Sequence, residues 1–207
     1  MKGLIKKDLL LLKNNSKMFI MLLIIYLICS IEADGLESFL VPFMMSMLCI
    51  STFSYDEYNK WDAYALTLPE SRKNIIKAKY AVGLLMIASS FIVTLLLSII
   101  FGTIRGKLDI SNSLNYSLIG IASGLTVISF IFPLIIKFGL EKGRIGIMIA
   151  SFGFSALMML LGSIVKIPES TITFLETYAT VLVLLVAGLL FTGSYIISKK
   201  IYEKKEF

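Results

Sequence analysis

The sequence contains no histidine. That removes the most frequent general base and the most frequent zinc ligand, so Ser-His-Asp triads and His-based metal sites are excluded. No GxxxxGK[ST] loop occurs, so the chain lacks the usual cradle for the phosphates of ATP. Serines and threonines are plentiful in the apolar runs, but none stands in a G-x-S-x-G setting or beside a base. The two cysteines, Cys29 and Cys49, fall at different depths of successive apolar runs, which argues against a disulfide between them. Charge is scarce as well: 16% of the residues are Asp, Glu, Lys or Arg, where ordinary globular domains carry about 25%. We therefore expect no catalytic residue, no metal ligand and no enzymatic activity in this chain.

What is there in excess is apolar residues, 57% of 207. No soluble core of this size needs so many, so the expected class is an all-α integral membrane protein. The charges cluster, and the uncharged runs between them give the spans: Met18 to Ile31, Ser38 to Tyr55, Tyr80 to Ile104, Ile110 to Ile136, Ile145 to Val165 and Thr177 to Ser198. About 20 apolar residues cross a bilayer. Four runs reach that length, the second is borderline, and the first must borrow Glu32 and Ala33 or let Lys17 reach back to the surface. Six transmembrane helices in one domain over residues 1–207 are expected. No span has an ionisable residue near its centre, which argues against a proton or ion relay.

Lys and Arg set the orientation. Of the 20, 17 fall before span one, between spans two and three, between four and five, or after span six, and only Arg105, Lys107 and Lys166 fall on the other side. Both termini are thus expected in the cytoplasm. The net charge of +6 reflects this topology and contact with anionic lipid, not nucleic-acid binding. Residues 1–17 read as an amphipathic surface helix, with Leu4, Ile5, Leu9, Leu11 and Leu12 toward lipid and Lys2, Lys6, Lys7 and Lys13 toward water. Asn14-Asn15-Ser16 is expected to break that helix before span one. The long basic lead and the want of a small-x-small site after span one argue against a cleaved signal peptide.

Proline and glycine mark special places. Pro42 and Pro133 are expected to kink spans two and four. Gly120 and Gly124 form a GxxxG, which permits close helix packing. Glu141-Lys-Gly-Arg144 reads as a short cytoplasmic turn, and Lys166 to Glu176, with Pro168, as an outer loop that could hold a re-entrant turn. Met44, Met45, Met47, Met148, Met158 and Met159 suit either plain packing or contact with an amphipathic ligand.

The longest polar interval is the cytoplasmic loop 55–79. It carries the single tryptophan, Trp61, and Tyr55, Tyr58 and Tyr64. Ser54 and Glu57 fit a capping box, Asp56 and Glu57 suit the positive end of a helix dipole, and Tyr58, Trp61, Ala65 and Leu68 share one helical face. Pro69 would end the segment. Two readings stand: an interfacial aromatic belt, or a short helix that docks on another protein.

The stretch Ser54-Tyr-Asp-Glu57, Lys60-Trp-Asp-Ala-Tyr64, Leu66-Thr-Leu-Pro69 and Ser71-Arg-Lys73 resembles a signature of bacterial ATP-binding-cassette permeases of the ABC-2 type. The small six-span branch found in Gram-positive bacteria is the most similar, and the opening Met1-Lys-Gly-Leu-Ile-Lys-Lys-Asp-Leu9 is similar to its usual start. Some members of that branch export amphipathic peptides such as phenol-soluble modulins and bacteriocins. The resemblance implies that residues 1–17 are an elbow helix and that Asp56 to Leu68 is a coupling helix seated on a separate ATPase subunit. The residues expected to touch the ATPase are Tyr55, Asp56, Glu57, Tyr58, Lys60, Trp61, Tyr64, Leu66, Leu68 and Pro69. It also implies a second permease subunit, as homodimer or heterodimer, in the bacterial cell membrane, with ATP and Mg bound by the partner ATPase and no cofactor here. The competing expectation is a non-transporting immunity or sensor protein that binds a bacteriocin-like peptide without an ATPase.

Overall fold

The computed structural model describes residues 2–29, 36–65, 72–106, 109–164 and 169–204, with the side chains at 14–16, 18–19, 22–23, 25–29, 36–37, 62–63, 72, 141, 144–164 and 169–177 outside the description. The elements among these residues are all helical: α1 (Lys2–Cys29), α2 (Leu36–Tyr58), α3 (Trp61–Ala65), α4 (Arg72–Ile104), α5 (Ile110–Ile164) and α6 (Glu169–Lys204). Four segments are long and apolar enough to cross a membrane: Ser38–Tyr58, Lys73–Ile104, Ile110–Leu140 and Tyr178–Lys204. They coincide with the second, third, fourth and sixth expected spans. The first and fifth fall largely on residues whose side chains lie outside the description; of the expected outer loop Lys166 to Glu176, Lys166 to Pro168 lie outside the described residues, and Glu169 to Glu176 are not loop but the first turns of α6.

Helix ends follow ordinary capping chemistry. Gly106, with φ 69°, closes α4 in the left-handed conformation that glycine adopts without strain. Asp109 opens α5: its Oδ1 accepts the amides of Ser111 at 3.0 Å and Asn112 at 3.2 Å.

Two expectations about helix boundaries are corrected. Asn14-Asn15-Ser16 does not break the chain, and α1 runs through it as one 28-residue helix; these residues cost a helix only fractions of a kcal/mol each, about 0.7 at most. The second turn is not built from Glu141 to Arg144 either. Pro133 stays inside helical backbone, and the break is a single residue, Gly139, at φ 78° and ψ 176°. A Cβ on Gly143 would lie 3.3 Å from the Ile135 Cα, whereas eight residues of straight helix span about 12 Å. The chain therefore doubles back at Gly139 into the helix of residues 140–164.

The GxxxG lies at the crossing of α2 and α5. Pro42 has no amide, so the Ser38 carbonyl one turn earlier loses its helical partner. A Cβ on Gly120 would run into that same oxygen, and one on Gly124 would lie 2.6 Å from Ile87 Cδ1 and 3.2 Å from Pro42 Cβ. Ser46 fills the remaining space, donating to the Pro42 carbonyl at 2.8 Å.

Lower in the bundle Tyr80 ties α4 to α5 and α6. Its ring meets Phe132 and Phe191 edge-on at 5.2 and 5.3 Å. Its hydroxyl shares hydrogen bonds with Ser194 at 2.6 Å and Ser198 at 2.7 Å. Such polar pairs hold helices together where apolar contact does not discriminate between protein and lipid.

Candidate functional site

The start of α1, the end of α2, the start of α4, the break in α5 and the end of α6 gather at one end of the bundle. The polar interval singled out in the sequence sits there, but it is divided. Tyr55 to Tyr58 belong to the last turn of α2, so Ser54 and Glu57 do not form a capping box at the start of a loop helix. Asn59 donates its amide to the Tyr55 carbonyl at 3.0 Å, and its side-chain amide donates to the same oxygen at 2.9 Å. Lys60, with φ 50°, then takes the left-handed conformation usually left to glycine. The five-residue α3 follows directly. Leu66, Leu68 and Pro69 lie outside the described residues.

Beneath α3 is a buried ionic cluster. Lys79 of α4 is 6% exposed and Asp8 of α1 is 2% exposed. Lys79 Nζ lies 2.6 Å from Asp56 Oδ2 and 3.1 Å from Asp8 Oδ1, and donates to Thr52 Oγ1 at 3.1 Å. Lys7 adds the fourth charge, 2.6 Å from Asp56 and 3.3 Å from Asp8. Two ammonium groups thus face two carboxylates, each held by more than one partner, which is what buried charge requires.

The cluster carries the aromatic loop above it. Lys7 Nζ stands 4.1 Å from the Trp61 ring centroid, a cation–π distance, and the Trp61 and Tyr64 rings are 5.3 Å apart. Trp61 is half-buried against the core, whereas Tyr58 is 87% and Tyr64 57% exposed.

Glu57 points the other way, toward α5. Its Oε2 accepts the amide of Leu140 at 2.9 Å, the first residue beyond the Gly139 break. Between these parts lies a cavity of about 180 Å³, bordered by Phe53, Ile76, Lys79, Ile136, Gly139 and Tyr202.

The structure therefore sorts seven of the ten sequence-derived contact residues. Tyr58, Lys60 and Tyr64 are at the surface, Tyr55 and Trp61 are half-buried, Asp56 is inside the ionic cluster, and Glu57 is exposed but engaged with α5. Gly120 and Gly124 belong to a different region. Sequence reasoning missed Lys7, Asp8, Lys79 and Gly139. It also set Lys7 toward water and Leu12 toward lipid, but Lys7 turns inward to Asp56 and Leu12 is buried in the protein. One signal was available: Asp8 shares a helical face with Ile5 and Leu12, and an acid on a buried face must be paired.

The charges neutralise one another, and the exposed aromatics offer a surface. Among the described residues no group of His, Cys, Asp or Glu could hold a metal. A family model described as ABC-2 family transporter protein matches residues 3–203. No curated protein and no solved structure matches the chain.

Proposed function

The chain belongs to the ABC-2 family of transporter proteins, and from that premise we propose that it is the membrane-spanning permease subunit of an exporter whose separate ATPase subunit docks on α3 and its flanks. Tyr58, Lys60 and Tyr64 are the contact residues, and Trp61 is the half-buried anchor between them. Asp56 serves underneath, as part of the base that fixes the loop. ATP and Mg bind in the partner, and two permease subunits, identical or related, enclose the pathway. Both termini face the cytoplasm together with the docking loop. The six expected spans complete the domain, with α1 combining the elbow and the first span in one helix. The cargo is a hydrophobic or amphipathic molecule, with amphipathic peptides the class that the sequence resemblance favours.

The observation that carries this reading is the solvent-exposed aromatic surface of Tyr58 and Tyr64 around Trp61, standing on a base locked by buried ion pairs. An aromatic belt in the headgroup region needs no such base. Purifying the tagged chain from its native membrane in mild detergent tests the reading. An ATPase that co-elutes and hydrolyses ATP is expected, and its loss with Trp61→Ala. A chain that elutes without any ATPase would restore the immunity or sensor reading.

A further inference from the structure

Glu57 occupies the last turn of α2, three residues before the left-handed Lys60 that leads into α3. Its carboxylate reaches across to α5 and accepts the Leu140 amide at 2.9 Å. That amide opens the helix of residues 140–164, so it has no partner in its own helix and sits at the positive end of the dipole. A charged acceptor makes this bond stronger than one between neutral groups. The carboxylate also lies over the break itself: a Cβ on Gly139 would be 3.5 Å from Oε1.

The parts on either side of this bond are held very differently. On one side α1, α2 and α4 are joined by buried contacts from Lys79 and Lys7 to Asp8 and Asp56. Separating them would strand buried charges. On the other side, Leu140 is held by apolar packing in the core, with no buried ion pair there among the described residues, and residues 140–164 follow a single glycine in a conformation that other residues avoid. The cavity lies between, with Phe53, Ile76 and Lys79 on one wall and Ile136, Gly139 and Tyr202 on the other. The joint thus has a single-residue break beside a cavity of about 180 Å³.

We infer that Glu57 is a positioning residue that carries displacement of the docking loop to the helix beginning at Leu140, with Gly139 as the pivot. This rests on the docking reading above. When the ATPase shifts α3, the ion-paired base moves as one body, and Glu57 draws the start of residues 140–164 with it.

The test uses the purified permease–ATPase complex with Cys29 and Cys49 replaced by alanine and spin labels at Lys142→Cys and Thr103→Cys. The distance between labels is measured without nucleotide and after trapping with ATP and vanadate. The wild-type background is expected to show a nucleotide-dependent shift. Glu57→Ala is expected to keep the ATPase bound and lose that shift. Glu57→Gln, whose side-chain oxygen still accepts the amide, is expected to retain it. A shift unchanged in Glu57→Ala, a shift lost equally in Glu57→Gln, or no shift in the wild-type background would each overturn the lever while leaving docking intact. A wild-type chain that binds no ATPase would overturn docking, and the lever with it.

Discussion

Asp56 and Lys79 meet at 2.6 Å inside the protein, joining the last turn of α2 to the first third of α4 across the loop that separates them. The contact closes the base of the loop that carries α3, and Asp8 and Lys7 complete it from α1. Removing one member leaves uncompensated charge that is largely buried. Lys79→Met should therefore destabilise the chain by about 3 kcal/mol, read as a lower melting temperature in detergent. Adding Asp8→Asn should return part of the loss, since one stranded carboxylate is removed. Equal melting of Lys79→Met and wild type would contradict a buried cluster.

The helix crossing at Gly120 makes a second prediction. Gly120→Ala places a methyl group against the Ser38 carbonyl, and overpacking of this kind costs about 1–3 kcal/mol. Gly188→Ala on α6 meets nothing within 4 Å and should be neutral or slightly stabilising, because alanine is the better helix former. Thermal melting of the two variants side by side checks the contrast.

Gly139 makes a third. With φ 78° and ψ 176° it occupies a region open essentially to glycine alone. Gly139→Ala should lower stability by about 1–3 kcal/mol. Gly139→Asn should not rescue it, since asparagine tolerates the left-handed helical region but not this one. A melting temperature restored by asparagine would show that the turn differs from the one described.

These positions show what was legible in the sequence. Hydropathy located four segments that the structure holds as helices long and apolar enough to cross a membrane, because a run of apolar residues needs no knowledge of its neighbours. The GxxxG was visible, but its partner was not: the proline that frees the Ser38 carbonyl stands 78 residues before Gly120. Ser54 and Glu57 match a capping motif, yet Glu57 caps a helix 83 residues downstream. Local spacing cannot separate a carboxylate that serves its own turn from one that serves another. The same holds for Lys79 and Asp56, which read as loop charges because their pairing exists only after three helices converge. Asn14 to Ser16 misled for a simpler reason, as weak local propensity yields to a continuous helix on either side.

The central claim is that the exposed face of α3 binds an ATPase, and its most direct measurement is the affinity of the isolated ATPase for the permease in lipid nanodiscs. Tyr64→Ala should weaken binding by about 2 kcal/mol, roughly thirtyfold in Kd. Tyr116→Ala removes another exposed tyrosine, near the start of α5 and well before its break at Gly139, and should leave the affinity unchanged. Equal affinities for wild type and both variants would contradict the claim and leave the aromatic loop as an interfacial belt.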